Sequence, residues 1–286
     1  MSSRSDHAPL TLDTLAALPL PAAGLRIPYG PLPEQFGELR LPAGAGPFPL
    51  MVVIHGGCWR NRHSLEYITR LSHWLGAEHG LATWTIEYRR LGDAGGGWPG
   101  THQDVAAATD FVRALAARHP LDLQRLYVAG HSAGGQLALW LASRHRLAVD
   151  STLFVAAPLR VHGVLGLAAI SDLDTYRIGP PDSCHAAVEP LLGGTPDTHP
   201  QRYAETSPLR RLPVGVPAVF VQGALDQVVS EASVRHFIER ARAAGDRCEL
   251  FVLPDCAHFE PSVPHPRSIA TLSASLAWLA QAARRP

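Results

Sequence analysis

The stretch YVAGHSAGGQLALWLAS, residues 127–143, carries the strongest structural signal in the chain. Its first residues are apolar and partly β-branched or aromatic, which is typical of a buried strand, whereas the run from Gln136 onward consists of good helix formers. A strand therefore passes into a helix with almost no loop, and Ser132 occupies the turn. Gly130 and Gly134 flank it in the pattern G-x-S-x-G, a tight turn that leaves no room for a Cβ atom at the neighbouring positions.

The rest of the chain continues this alternation of strands and helices. Apolar runs that end in turn residues predict strands at 25–29, 37–41, 49–57, 81–89, 125–129, 161–171, 217–226 and 248–253. Helical patterns cover 65–79, 101–119, 136–142, 231–244 and 265–283. Such an alternation predicts the α/β class, with a mostly parallel central sheet and helices on both faces.

The domain organisation follows from length and composition. A chain of 286 residues can hold one large α/β domain, and we find no internal repeat and no domain-sized linker. We expect residues 1–24 to form a flexible arm and residues 25–286 to form one domain. Residues 172–213 are rich in Pro, Gly and charged side chains and are too long for a simple connection, so we interpret them as a lid or pocket wall.

Composition limits the partners of the chain. Formal net charge is zero, which argues against nucleic acid or an anionic membrane surface as the main partner. No window holds the ~18–20 apolar residues of a membrane span, and the first residues lack the apolar core of a signal peptide. The cysteines are too few and too scattered to predict a disulfide framework: Cys58, Cys184, Cys248 and Cys256. We therefore expect a reduced, cytoplasmic protein, and a homo-oligomer is left open.

A serine hydroxyl on such a turn becomes a nucleophile only with a base in reach and an acid that orients the base. In a parallel sheet these groups gather at the carboxyl ends of the strands. Asp226 and His258 both follow predicted strands downstream of Ser132, in VQGALDQVV and LPDCAHF. Asp255 and Asp172 are rival acids. We favour Asp226 because it comes from a different strand end than the histidine.

Backbone N–H groups are also needed where negative charge develops on a carbonyl oxygen. The stretch VVIHGGCWR ends a buried strand in glycines, which allow the backbone to approach a ligand closely. We assign the donors to Gly57 and Cys58, together with Ala133 from the turn. The Cys58 side chain is interpreted as a small apolar filler.

Three further side chains are candidates for lining a substrate pocket: Trp59, Trp98 and His131. Core packing explains the two tryptophans equally well. The Cys-x-His sequence that ends at His258 and the Cys-His pair at 184–185 lack the paired spacing of a zinc site, so no metal is expected.

With these parts together, the chain resembles the α/β-hydrolase superfamily over residues 25–283. The order of serine, acid and histidine along the chain is that of α/β-hydrolases. The motifs HGG-x-W, EYRR, GGGWPG and GHSAGG resemble the kynurenine formamidase-like and esterase/lipase branches. Cys58 stands where many esterases of the hormone-sensitive-lipase type have a third glycine, which favours the branch near kynurenine formamidase.

The resemblance implies a serine hydrolase without metal or organic cofactor, in which Ser132, Asp226 and His258 are the catalytic triad. We expect hydrolysis of small carboxylic esters through an acyl-enzyme intermediate, with short acyl groups favoured because Cys58 and Trp59 narrow the site. The alternative is an arylformamide amidohydrolase similar to kynurenine formamidase. A non-catalytic binding protein on the same fold is the more distant alternative.

Overall fold

The computed structural model describes residues 8–284, and its centre is an eight-stranded sheet. The strands are β1 (Leu25–Pro28), β2 (Phe36–Arg40), β3 (Phe48–Ile54), β4 (Ala82–Ile86), β5 (Leu121–His131), β6 (Val164–Leu167), β7 (Ala218–Gly223) and β8 (Cys248–Leu253). Their order is β1-β2-β4-β3-β5-β6-β7-β8. The pairs β1–β2 and β2–β4 are antiparallel, and all later pairs are parallel. The mostly parallel sheet predicted from the sequence is confirmed.

Helices cover both faces of this sheet. They are α1 (Leu12–Ala16), α2 (Thr69–His79), α3 (Gly100–Asp110), α4 (Val112–Ala116), α5 (Ala133–Ser143), α6 (Leu173–Tyr176), α7 (Val188–Leu192), α8 (Pro200–Thr206), α9 (Glu231–Ala243) and α10 (Ile269–Ala282). Helices α2 and α10 contribute to the core on one face, whereas α3, α4, α5 and α9 contribute to the core on the other. Within the described part of the chain, none of these helices combines the length and apolarity that a bilayer crossing requires.

Strand β3 shows why its sequence is apolar throughout. Leu50, Val52 and Ile54 belong to one core, and the alternate residues Met51 and Val53 belong to the other. All five are completely buried. Successive side chains of a strand point to opposite faces, so a strand covered on both faces needs apolar residues at every position. Each such side chain contributes about 1.5–3 kcal/mol through burial.

Of the arm predicted over residues 1–24, residues 1–7 lie outside the described part of the chain, and residues 8–24 contact the rest of the protein. In its described part, helix α1 buries Leu15 completely. The Leu10 N–H donates to the Glu260 carboxylate at 2.7 Å, and the Arg70 guanidinium donates to carbonyl oxygens of the same segment. These contacts attach the segment to the body of the protein.

The segment 172–213, interpreted from the sequence as a lid or pocket wall, contains α6, α7, α8 and two 3₁₀ turns, Cys184–Ala187 and Pro208–Arg211. Leu191, Leu192 and Tyr203 are completely buried. Short helices hide the apolar side chains of this segment, whose many Pro and Gly residues mark the breaks between them rather than a loose loop.

Candidate active site

Ser132 is the single residue between β5 and α5, as the G-x-S-x-G pattern predicts. Its φ of 56° lies in the left-handed region, which is uncommon for a side chain other than glycine. A Cβ atom on Gly130 would lie 2.0 Å from the Gly134 carbonyl oxygen, and one on Gly134 would lie 2.3 Å from that of Ile54. The turn therefore requires both glycines because backbone atoms occupy the space of their side chains.

His258 and Asp226 form the second part of the site. Asp226 follows β7 and His258 follows β8, and the His258 Nδ1 donates to the Asp226 Oδ2 at 2.8 Å. An ionised carboxylate only accepts hydrogen bonds, so in the neutral imidazole the proton resides on Nδ1 and Nε2 remains a proton acceptor. The Asp226 Oδ1 accepts from the N–H groups of Val228 and Val229 at 2.7 and 2.9 Å.

The environment of Asp226 keeps this carboxylate ionised. Burial acts to raise its pKa, but the hydrogen bond and charge of His258 and the two backbone N–H donors outweigh burial, and the pKa lies below its usual value. The Gln222 side chain adds a donor to Oδ2 at 3.0 Å. Asp226 is thus a fixed acceptor that holds the imidazole of His258.

The rival acids have other positions. The Asp172 carboxylate caps α6: it accepts from the Asp174 N–H at 3.0 Å and from the Thr175 hydroxyl at 2.5 Å. Asp255 is exposed. Only the third of the acids considered, Asp226, bonds to His258.

The loop that follows β3 packs against the serine turn. A Cβ atom on Gly56 would lie 2.5 Å from the His131 carbonyl oxygen and 3.0 Å from the Ser132 Cβ. Gly57, Cys58 and the next residue all have positive φ. Within residues 8–284, the N–H groups of Gly57, Cys58 and Ala133 donate to no protein acceptor. Gly57 and Cys58 line the same cavity as Ser132.

A chain of hydrogen bonds joins this loop to the histidine. The His131 Nε2 lies 2.9 Å from the His258 carbonyl oxygen, which only accepts, so Nε2 carries the proton. Burial, followed by the nearby charge of His258, lowers the pKa of His131 to about 3, so its Nδ1 is an unprotonated acceptor. Tyr67 donates its hydroxyl to that Nδ1 at 2.9 Å and accepts the Gly56 N–H. The donor and the acceptor of each hydrogen bond in this series are therefore defined.

These parts surround one cavity of about 510 Å³. Its lining residues are Leu12, Gly57, Cys58, Arg62, His63, Tyr67, His131, Ser132, Cys184, Val228, His258 and Phe259. The Ser132 hydroxyl forms no hydrogen bond with any residue in the described range, and catalytic contacts of this kind commonly tighten only when substrate is bound.

Of the three predicted pocket residues, the cavity contains His131 alone. Trp59 is completely buried, and its indole N–H donates to the Gln136 Oε1 at 3.1 Å. Trp98 packs against the core, and its ring centroid is 6.0 Å from that of His102. Both tryptophans thus have the packing role that their sequence context allowed equally well.

The interpretation of Cys58 as an apolar filler is wrong, because Cys58 forms a disulfide with Cys184. The two Cα atoms are 4.9 Å apart, within the range of protein disulfides. Cys248 and Cys256 are buried free thiols. The sequence did not predict this bond because 126 residues separate the two cysteines.

Several residues of this site had no signal in the sequence. Tyr67, Gln222 and Cys184 match no motif. Tyr67 and Cys184 bond to residues 64 and 126 positions away in the chain, whereas Gln222 bonds to the carboxylate four residues after it. Gln136 lies in the helix after the serine, and its side chain also donates to the Thr206 carbonyl oxygen at 3.0 Å. Within residues 8–284, no group of three or more His, Cys, Asp or Glu side chains is arranged to hold a metal ion.

A parallel sheet with a serine turn after β5, an acid after β7 and a histidine after β8 defines the α/β-hydrolase class. Residues 38–240 match the family model BD-FAE. The chain belongs to this family, which consists of α/β-hydrolase esterases. The superfamily resemblance expected from the sequence is confirmed.

Two curated relatives come from Mycobacterium tuberculosis. Esterase LipC is 26% identical over 245 residues, which are 82% of this chain and 59% of the relative. The probable carboxylic ester hydrolase LipM is 26% identical over 220 residues, 74% of this chain and 49% of the relative. The chain thus spans roughly half of the length of these relatives.

Solved structures share the fold at lower identity. Esterase 2 of Thermogutta terrifontis with propionate bound is 21% identical, has a TM-score of 0.72, and covers 91% of this chain and 94% of its own. Esterase B of Lactobacillus rhamnosis is 19% identical, with a TM-score of 0.78 and coverages of 94% and 90%. The relatives named above are esterases, so the arylformamide alternative gains no support from them.

Proposed function

We propose that this protein hydrolyses carboxylic esters through an acyl-enzyme intermediate on Ser132, with His258 as the base and Asp226 as the acid that orients it. The observation that carries the proposal is the 2.8 Å His258–Asp226 hydrogen bond beside a serine turn that shares a cavity with His258. Membership of an esterase family supports the same reaction.

The geometry supports an ordinary acyl-transfer sequence. His258 Nε2 takes the Ser132 proton as the oxygen attacks the ester carbonyl, and the N–H groups of Gly57, Cys58 and Ala133 hold the negative oxygen. The imidazolium then protonates the leaving alcohol. In the second half, His258 activates a water molecule that releases the acid and restores Ser132.

Carboxylic esters with short acyl groups are the proposed substrates. The Cys58–Cys184 bond occupies space beside the loop that would hold the carbonyl oxygen, and both cysteines line the cavity of about 510 Å³. Thermogutta terrifontis esterase 2, which shares the fold, has been solved with propionate and with butyrate bound. A small-molecule ester is accordingly the proposed binding partner.

We also propose that residues 25–286 act as one domain in which the segment 172–213 forms a wall of the site, since Cys184 of that segment lines the cavity. The cytoplasmic location is predicted from the lack of a signal-peptide core and of a disulfide framework. The Cys58–Cys184 bond removes the second of these two grounds, because structural disulfides are rare in reducing compartments.

The test combines a substitution with an active-site label. Ser132→Ala should lose more than about a thousandfold in kcat while it remains folded, since removal of a triad nucleophile typically costs orders of magnitude. A fluorophosphonate should label the wild-type protein at Ser132. Ser143→Ala, at the last residue of the helix that follows Ser132 and equally buried at 2% exposure, is the matched control and should be labelled normally.

Substrate choice is measured as kcat/KM for p-nitrophenyl acetate, butyrate and dodecanoate and for an N-formyl arylamine. Activity that persists in Ser132→Ala, or a label at another residue, would remove the proposed nucleophile. A preference for dodecanoate would contradict the short acyl group, and a preference for the formamide would return the reaction to the alternative class.

A further inference from the structure

The Cys58–Cys184 disulfide joins two parts of the chain that both line the catalytic cavity. Cys58 lies in the loop after β3, and Cys184 begins the 3₁₀ turn Cys184–Ala187. Because 126 residues separate them, no local interaction explains their contact. The bond fastens the loop to the segment 172–213.

Cys58 differs from its neighbours in how it is held. The Gly56 N–H donates to the Tyr67 hydroxyl, and the Trp59 carbonyl oxygen accepts from the Leu91 N–H at 2.7 Å. Cys58 has a φ of 54°, an unfavourable conformation for a side chain other than glycine, which the surroundings must maintain. The Cys58 N–H donates to no acceptor in the described part of the chain. The bond that holds Cys58 itself is therefore the disulfide to Cys184.

The other end of the bond belongs to an ordered part of the segment. The Ser183 hydroxyl accepts from the His185 N–H at 3.3 Å and caps the turn that Cys184 begins. The His185 Nδ1 donates to the Tyr176 carbonyl oxygen, and the two rings lie 4.2 Å apart, centroid to centroid. The disulfide therefore connects Cys58 to a fixed point rather than to a loose strand of chain.

We propose that Cys184 is a positioning residue for ester hydrolysis: through the disulfide it keeps Cys58 in the left-handed conformation that leaves the Cys58 N–H available to the developing oxyanion. This inference rests on the proposed function. A preorganised donor acts mainly in the transition state, so its displacement lowers kcat more than it changes substrate binding.

The same connection makes the activity dependent on the redox state of the two cysteines. A dithiol reductant transfers two electrons and two protons to the disulfide; Cys58 and Cys184 become thiols, and the reductant closes to its own disulfide. The reduced protein then retains every proposed catalytic side chain and lacks only the covalent attachment of Cys58.

The experiment compares oxidised wild-type protein, dithiol-reduced wild-type protein and Cys184→Ala on p-nitrophenyl butyrate. Complete loss of one oxyanion donor costs about 10²–10³ in kcat, and we expect its displacement to cost about tenfold with KM changed less than about twofold. Cys248→Ala, which removes a buried free thiol outside the cavity, is the matched control. Intact mass with and without reduction and alkylation establishes the bond.

A second readout separates positioning from a general structural role. A trifluoromethyl ketone, which forms an oxyanion-like adduct with serine, should bind about tenfold more weakly to Cys184→Ala, whereas binding of 1-butanol, which has no carbonyl oxygen, should be unchanged. If Cys184→Ala does not fold, reduction of the folded wild-type protein provides the same comparison, and reoxidation should restore kcat.

Three results would overturn the proposal: wild-type kcat and ketone affinity in Cys184→Ala, a purified wild-type protein with both thiols free and full activity, or parallel weakening of ketone and 1-butanol binding. None of these results affects the proposed ester hydrolysis, which depends on Ser132 and is tested there.

Discussion

The turns at the ends of β5 and β3 lie side by side, since these strands are neighbours in the sheet, and they are stabilised in different ways. Both contain a residue other than glycine with positive φ, Ser132 in one and Cys58 in the other. The turn after β5 is fixed by backbone atoms packed against Gly130 and Gly134. The loop after β3 also packs against backbone at Gly56, but it is held in addition by side-chain bonds to other parts of the chain.

The difference determines how each turn responds to substitution. Closely packed backbone atoms leave no space for an additional group, so an added methyl group at the serine turn displaces the strand or the helix. Side-chain attachments are separate interactions, and the loss of one leaves the others in place. We therefore expect abrupt failure at the turn after β5 and graded effects at the loop after β3.

The largest effect is expected for Gly130→Ala. Its Cβ would lie 2.0 Å from the Gly134 carbonyl oxygen, so we expect a loss of at least ~3 kcal/mol in the free energy of unfolding, or no folded protein. Gly76→Ala in α2 is the control, because the nearest atom to its Cβ is 3.6 Å away. That variant should gain up to about 1 kcal/mol. Urea unfolding measures both, and wild-type stability of Gly130→Ala would contradict the packing argument.

Gln136→Leu should have the next largest effect. It leaves the buried Trp59 indole N–H and the Thr206 carbonyl oxygen without their partner, which we expect to cost about 2–3 kcal/mol. Gln124→Leu, at an exposed position, should change the free energy of unfolding by less than about 0.5 kcal/mol. Equal unfolding midpoints for the two variants would show that Gln136 does not attach the loop.

Tyr67→Phe is expected to lower kcat/KM about tenfold, equivalent to about 1.4 kcal/mol. It removes the acceptor of the Gly56 N–H and the donor to His131, so the loop and the His258 backbone are no longer joined. Tyr203→Phe removes a hydroxyl that donates to the Gly194 carbonyl oxygen outside the cavity and should retain activity. Steady-state kinetics on one ester measures both variants. An unchanged kcat/KM in Tyr67→Phe would show that the hydrogen bonds of Tyr67 do not contribute to catalysis.

A further effect concerns pH and the region behind the serine turn. His102 is fully buried beside Trp140 of α5, with ring centroids 5.0 Å apart, and burial lowers its pKa to about 3. The unfolded chain therefore binds one more proton than the folded chain between about pH 6.5 and about pH 3. Stability is full above that interval and decreases as the pH falls through it, by up to about 1.4 kcal/mol per pH unit.

Urea unfolding between about pH 7.5 and about pH 5 measures this slope. His131, with a pKa of about 3, adds a slope of the same sign, so His102→Gln should reduce the total rather than abolish it. His73→Gln, at an exposed position of α2, is the matched control. An unchanged slope in His102→Gln would show that His102 does not titrate as its burial implies.

Much of the fold can be predicted from the sequence because strands, turns and helices depend mainly on preferences of neighbouring residues. Buried parallel strands need apolar residues at every position, as in β3, and the predicted strand at 248–253 coincides with β8. The segment 172–213 was harder to interpret. Its helices are stabilised by the packing of residues such as Leu191 and Tyr203. They are too short for a helical periodicity to be recognised in the sequence.

The amino-acid sequence determined the serine turn and the order of Ser132, Asp226 and His258, because strand, turn and helix preferences act between near neighbours. The tertiary structure decided which side chains meet. It brought Asp226 to His258, committed Asp172 to a helix cap, and paired Cys58 with Cys184. Those contacts depend on how strands and helices pack in space, and a distance of 126 residues along the chain leaves no local trace of them.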